Sequence, residues 1–337
     1  MRGVEDKKHR GITISPSLRK GKGHLEEHHA MNEAIVYMNG EFVPWHKATI
    51  HLLSHSVARG SAIFEVLGFQ ETQGGRAIFR LYDHVDRLFR TAELLDMEIP
   101  LSREECGRAV LNTVRKSGAK DGMIKIVCYY PQIVFDVHPP HRTLDVAVCV
   151  IDSGSYGEGP PGSFDDGATV GVSRWRKLDP GTVPIEAKAA ANYLNGMVAR
   201  SDTRKRGFDF ALMCDTEGYI AEGATESIFL VQGNTLLTPA LGWVLDGITR
   251  RSLLEVARAE GMETEEARLP FTLLFEADEI FLSGTPKKLI PVKKIEDRVM
   301  KDVPGPVTRV LSGIMEKILN GEDRRFEMWC TTVDVER

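Results

Sequence analysis

The chain has 337 residues, 42% of them apolar and 27% charged, with 43 basic against 48 acidic side chains and a formal charge of −5. These figures describe a globular protein long enough for its core to divide in two, without the positive field that nucleic acid or an anionic membrane surface demands. No apolar run reaches the roughly 18 residues of a membrane-spanning helix.

The five cysteines (Cys106, Cys128, Cys149, Cys214 and Cys330) are widely spaced and lack a CxxC pair. They read as buried thiols of a reducing, cytoplasmic compartment. Residues 1–30 are polar, with no apolar stretch suited to a signal peptide, and read as a flexible extension. His24, Glu27 and His28 match the H-x-x-E-H zinc spacing, but polar neighbours leave no apolar stripe to dock such a helix. No metal is expected.

Ile35-Val36-Tyr37-Met38, Asn39-Gly40 and Glu41-Phe42-Val43 predict a hairpin, because Asn-Gly suits a type I′ turn. Strands follow at 62–69 and 77–81, and then a helix whose apolar stripe is Val85, Leu88, Phe89, Ala92 and Leu95. Ser102 with Glu105 forms a capping box for a second helix that stops at Gly118. Residues 123–130 and 145–151 are β-branched strand candidates. A smaller mixed sheet-and-helix domain over 31–152 results.

Residues 153–167, rich in Gly and Pro, read as an interdomain linker. Gly157, Gly159 and Gly162 match a dinucleotide fingerprint in letters only. Pro160 and Pro161 lack the N–H groups that cradle a pyrophosphate, and no helical pattern follows. Beyond the linker, strand candidates at 168–173, 208–214, 226–231, 234–238, 278–283 and 289–294 alternate with helices at 189–206, 249–260 and 306–319. Residues 168–337 therefore read as a larger α/β domain.

Four stretches could carry chemistry. Lys188 is followed by three alanines and, five positions on, by Tyr193; small neighbours would let a flat aldehyde reach its amine. Glu222 lies among small residues just before an apolar strand. Gly247-Ile248-Thr249-Arg250 leads into a helix whose first N–H groups could meet an anion. Ser283-Gly284-Thr285-Pro286 ends a strand in a hydroxyl-bearing turn. Each alone is ordinary turn or capping chemistry.

Together, residues from about 34 to 325 resemble the class IV, fold type IV pyridoxal-phosphate aminotransferases, branched-chain amino-acid aminotransferases above all. The landmarks are Phe79-Arg80-Leu81 with His84, Lys188 with Tyr193, Glu222-Gly223-Ala224, Thr238, Gly247-Ile248-Thr249-Arg250 and Ser283-Gly284-Thr285; Ser227 stands where the family usually has asparagine. The resemblance implies a barrel-like larger α/β domain, and pyridoxal 5′-phosphate bound as a Schiff base on Lys188, which then moves the proton. It places Tyr193 at the phenolic oxygen and Glu222 at the ring nitrogen. Arg80, Ile248, Thr249 and Thr285 would hold the phosphate. A carboxylate beside that nitrogen keeps the ring protonated and electron-accepting.

The substrate side departs from the family. Arg59 replaces an aromatic residue, Phe64-Glu65-Val66 replaces Phe-Glu-Gly, and Met123-Ile124-Lys125 replaces Tyr-x-Arg. Arg59, with Lys125 or with Arg142 of the basic loop 136–142, which a partner subunit could contribute, is expected to bind a substrate carboxylate, with Phe64, Thr285 and Pro286 lining the rest. A ping-pong transaminase for a branched-chain-like L-amino acid and a 2-keto acid is expected, as a homodimer. The residues leave open a D-amino-acid or (R)-amine aminotransferase, an aminodeoxychorismate-lyase-type enzyme, and a non-catalytic cofactor-binding relative.

Overall fold

A computed structural model describes residues 34–155 and 163–333. The extension with His24, Glu27 and His28, and the fingerprint Gly157 to Gly162, lie outside the described residues.

The expected hairpin forms β1 (Ile35–Met38) and β2 (Glu41–Pro44), with Asn39 and Gly40 both at positive φ as a type I′ turn requires. A short helix α1 (His55–Arg59), absent from the sequence expectations, precedes β3 (Ile63–Thr72) and β4 (Gly75–Phe79). Helices α2 (Leu81–Leu94) and α3 (Arg103–Ser117) pack on the sheet, which β5 (Gly122–Tyr129) and β6 (Asp145–Asp152) extend. The stripe of Leu81, Val85, Leu88 and Ala92 is buried against Ile63, Leu67 and Ile126. The capping box is present: Glu105 N–H donates to Ser102 Oγ at 3.2 Å and Ser102 N–H to Glu105 Oε2 at 2.8 Å.

A second, curled half-barrel sheet is built from β7 (Ala168–Val172), β8 (Phe210–Cys214), β9 (Ile220–Gly223), β10 (Ser227–Gln232), β11 (Thr235–Pro239), β12 (Glu263–Ala267), β13 (Glu279–Ser283), β14 (Ile290–Ile295) and β15 (Arg298–Val299). Its order is β12-β11-β10-β13-β14-β7-β8-β9, with β15 on β14. Helices α4 (Tyr193–Lys205), α5 (Ile248–Ala259) and α6 (Pro306–Leu319) accompany it. Strand β12, Glu-Thr-Glu-Glu-Ala, has no apolar alternation; it forms because parallel pairing to β11 holds an exposed edge. The last strand, β16 (Cys330–Thr332), returns to pair β4 on the edge of the first sheet.

Two sheets with separate cores make the mixed α/β, two-domain fold that was expected. All five cysteines are free thiols. Cys106, Cys128 and Cys214 are buried; Cys149 and Cys330 are half-buried, which corrects the expectation of full burial for those two. No helix among the described residues is long and apolar enough to cross a membrane, and no cluster there could hold a metal ion.

Candidate active site

Lys188 lies on the seam between the two sheets. Phe64 N–H donates to Lys188 O at 3.1 Å, Ala190 N–H to Ala62 O at 2.8 Å, and Lys188 N–H to Thr91 Oγ1 of α2 at 3.1 Å. The residue is therefore pinned to β3 and α2 before the single turn at Ala190–Asn192 opens α4. α4 packs close on the turn after Glu222 because residue 196 is glycine: a Cβ there would stand 2.4 Å from Ala224 O. Tyr193, the first residue of α4, accepts from Lys188 Nζ at 2.5 Å, and its ring meets Phe64 edge-on at 4.8 Å between centroids.

Burial, and after it the Arg87 guanidinium, push the Lys188 amine down to about 8, against the pull of Glu65 and Glu222. Burial pushes the Tyr193 phenol up, so that it keeps its proton. Glu222, buried on β9, pairs through Oε1 with Lys177, and its Oε2 accepts from Leu245 N–H at 3.3 Å. Helix α5 starts at Ile248 with no side-chain cap on Gly247, so its first turn presents bare N–H groups and the Thr249 hydroxyl. Lys188, Tyr193, Arg87, Lys177, Glu222 and the start of α5 line one cavity of about 70 Å³, together with Ser283, Gly284 and Thr285. Ser283 Oγ is buried there without a hydrogen-bond partner.

A wider cavity of about 660 Å³ shares Lys188, Tyr193, Thr225 and Thr285 with the first. Phe64, Val66, Val127, Pro286 and Ile290 make it largely apolar, and Lys125, Arg200 and Lys287 bring cations to it. The amine of Lys188 thus stands where a narrow polar cleft opens into a broad apolar one. A flat aldehyde with an anionic tail fits the polar cleft. It would find a reactive amine, a phenol, a carboxylate, an uncapped helix N-terminus and a spare hydroxyl.

Residues 62–295 match the sequence pattern of the family described as amino-transferase class IV. The chain belongs to the class IV aminotransferases. It is 31% identical over 306 residues to the branched-chain-amino-acid aminotransferase of Pseudomonas aeruginosa, covering 90% of this chain and 99% of that one. The Escherichia coli K12 enzyme of the same name is 30% identical, covering 89% and 97%. Among solved structures, a T.th. branched-chain amino acid aminotransferase complexed with N-(5′-phosphopyridoxyl)-L-glutamate superposes with a TM-score of 0.85 at 32% identity, over 90% of this chain and all of that one. This aminotransferase is a pyridoxal-phosphate-dependent transaminase of fold type IV.

Lys188, Tyr193, Glu222, Ile248, Thr249 and Thr285 of the aminotransferase are brought together as expected from the sequence. Arg80 is not, and its assignment to the phosphate is corrected. It sits at φ 50 just before α2, its guanidinium 3.8 Å from the Trp329 ring centroid and paired with Asp83 at 3.2 Å and Glu255 at 2.8 Å. Arg87, about two helical turns further on, lines the cavity instead.

A buried cluster aims Arg87. Glu65 accepts from Arg87 Nε at 2.7 Å and from Nη2 at 2.8 Å, while Nη1 donates to Asp246 O at 2.8 Å. Three of the five guanidinium N–H groups are so engaged, leaving two for a ligand. Burial opposes the Glu65 charge, yet Arg87 holds the carboxyl well below its usual range. Burial pushes the His84 imidazole down to about 4, so the neutral ring gives its Nδ1 proton to Glu65 Oε2 at 2.8 Å.

Of the expected substrate cations only Lys125 reaches the wider cavity. Arg59 is exposed at the end of α1, donating to Phe135 O at 2.9 Å, and Arg142 is exposed and paired with Asp96 at 2.6 Å. Within one protomer, neither lines the cavity. Gly60, left-handed at φ 70, ends α1 and leaves Arg59 lying along the loop that contains Phe135. Arg87, Lys177 and Arg200 went unrecognised in the sequence; no local motif marks the last two.

Proposed function

We propose that this aminotransferase moves the amino group of a branched-chain L-amino acid to a 2-keto acid by a ping-pong route, as a cytoplasmic homodimer. The observation that carries this reading is the position of Lys188, between the polar cleft and the apolar cavity. The bound cofactor supplies the electron sink for the bond broken at the donor's α carbon. Lys188 carries the cofactor and moves the α proton; an amine lowered to about 8 exchanges protons near neutral pH at little cost. Tyr193 orients the amine through their shared hydrogen bond. Glu222 would face the ring nitrogen, and Arg87, the first N–H groups of α5 and Thr285 would hold the phosphate.

Phe64, Val66, Val127, Pro286 and Ile290 offer a branched side chain apolar contact, and Lys125 offers a carboxylate its charge. Since one site serves both half-reactions, the walls must accept donor and acceptor in turn. Dimerisation is supported by one exposed apolar face. Leu52, Leu53, Val57, Ile133, Phe135 and Val137 are all solvent-facing, and the two loops are tied by the Ser54–Ile133 bridge and by His55 Nε2 to Val137 O at 3.0 Å.

A donor panel of L-Leu, L-Glu, D-Ala, D-Glu and (R)-1-phenylethylamine with 2-oxoglutarate or pyruvate tests the proposal. L-Leu is expected to lead. A lead by D-Ala or the amine, or pyruvate release without an acceptor, overturns the substrate assignment. Lys125→Met is expected to raise KM for 2-oxoglutarate about tenfold, the loss of one charge-assisted bond, with a smaller change for L-Leu. An unchanged KM for 2-oxoglutarate removes Lys125 from the reading.

The lowered amine has its own signature. In the apoenzyme, cofactor capture requires neutral Lys188, so its rate is expected to rise about tenfold between about pH 7 and about pH 9 and then level off. An ordinary lysine would keep gaining rate towards its own, higher midpoint. A rate still climbing tenfold per pH unit above about pH 9 refutes the perturbed amine.

A further inference from the structure

We infer that Lys177 is a positioning residue of this site: by occupying one oxygen of Glu222 it fixes that carboxylate and sets a positive charge on its far side, so that a ring nitrogen lodged against the other oxygen would carry the shared proton. The inference rests on the reading that Glu222 faces the ring nitrogen of pyridoxal 5′-phosphate.

Lys177 is fixed in place from several sides. Its N–H donates to Cys214 O at 2.8 Å, Asn195 Nδ2 donates to Arg176 O at 2.9 Å, and Leu178 N–H donates to Asn195 Oδ1 at 3.2 Å. Strand β8 and helix α4 therefore set where its side chain leaves the backbone. That side chain is 12% exposed, Glu222 is 9% exposed, and both line the polar cavity. The other charged groups of that wall are otherwise engaged. Arg200 and Thr225 hold Glu226 at 2.5 and 2.6 Å, Glu65 holds Arg87, Glu266 holds Arg250 at 2.7 Å, and Lys188 Nζ donates to Tyr193. Lys177 is the cation left to face Glu222.

The electrostatic sign follows from distance. An ammonium touching Oε1 favours a charge on the carboxylate more than it opposes one on a nitrogen lying beyond Oε2, since Coulomb energy falls with separation. With Lys177 present, a carboxylate facing a pyridinium would be the favoured pair. Without it, burial of an unpartnered carboxylate favours the neutral pair, acid and pyridine, and the electron sink weakens.

Nitrogen-15 NMR of the holoenzyme, reconstituted with cofactor labelled at the ring nitrogen, reads the proton directly near neutral pH. The wild type is expected at the pyridinium position. Lys177→Met is expected to move towards the neutral-pyridine position with kcat down about 10- to 100-fold, the range seen for groups that orient a metal's ligands. Lys177→Arg is expected to restore both. A Lys177→Met signal and kcat equal to wild type overturn the inference. Should that variant not fold, Lys177→Gln, which keeps a donor but not the charge, is read the same way, and a wild-type signal at the pyridine position overturns the inference by itself. Glu222→Gln separates the two layers. If it keeps the pyridinium signal, the reading of Glu222 falls; if it loses that signal while Lys177→Met keeps it, only the role of Lys177 falls.

Discussion

Lys188→Ala is expected to lower kcat by roughly 10³- to 10⁴-fold and to abolish the visible absorption of the bound cofactor, leaving the fold intact. The size of the effect follows from the position of the amine. It is the group at the mouth of both cavities whose proton affinity is brought near neutrality, by burial first and by the Arg87 charge second. No other side chain replaces it. The Lys177 ammonium is held by Glu222, and Lys125 lines only the wider cavity. The fold should survive because the backbone of residue 188, not its side chain, makes the bonds to β3 and α2. Far-ultraviolet circular dichroism, absorption spectra and single-turnover rates check the three parts. Turnover at the wild-type rate in a variant with a native spectrum removes Lys188 from the mechanism.

What the sequence made legible was the chemistry carried by local order. Lys188 and Tyr193 sit five residues apart across a tight turn into α4, so their contact is written in a short segment. The Gly247-Ile248-Thr249 start of α5 and the Ser283-Gly284-Thr285 turn are likewise local. What stayed hidden needed the folded chain. Lys177 and Glu222 are joined only because β8, β9 and α4 fold them together. The choice between Arg80 and Arg87 turned on rotation about α2. Both precede or follow landmarks of the same motif, but the left-handed residue 80 throws its guanidinium onto Trp329, while the buried Glu65 of β3 turns Arg87 inward. Strand β9 escaped notice because its four residues are wholly buried and carry a glutamate, which masks the alternation that signals a strand. Arg59 and Arg142 lie away from the cavity of their own protomer. In space each is tied to a surface loop.

Arg87→Met separates stability from cofactor affinity. Removing the guanidinium leaves Glu65, 0% exposed, with only a neutral imidazole beside it, and breaking a buried pair in that way costs about 3–5 kcal/mol. The same substitution removes two free N–H donors from the cavity. At roughly 1.5–3 kcal/mol for each bond to a charged group, the dissociation constant for the cofactor is expected to rise at least about 100-fold. The double variant Glu65→Leu/Arg87→Met should recover much of the stability, since no charge is then stranded, and none of the affinity. Arg80→Met should leave the affinity at the wild-type value, because its guanidinium lies on Trp329 and between Asp83 and Glu255. Urea denaturation of the apoenzymes gives the first quantity and fluorescence titration with the cofactor the second. Wild-type affinity in Arg87→Met together with lost affinity in Arg80→Met would reverse the reassignment. Recovered affinity in the double variant would mean that Arg87 supports the cavity only by partnering Glu65, and that the phosphate is held by α5 and Thr285 alone.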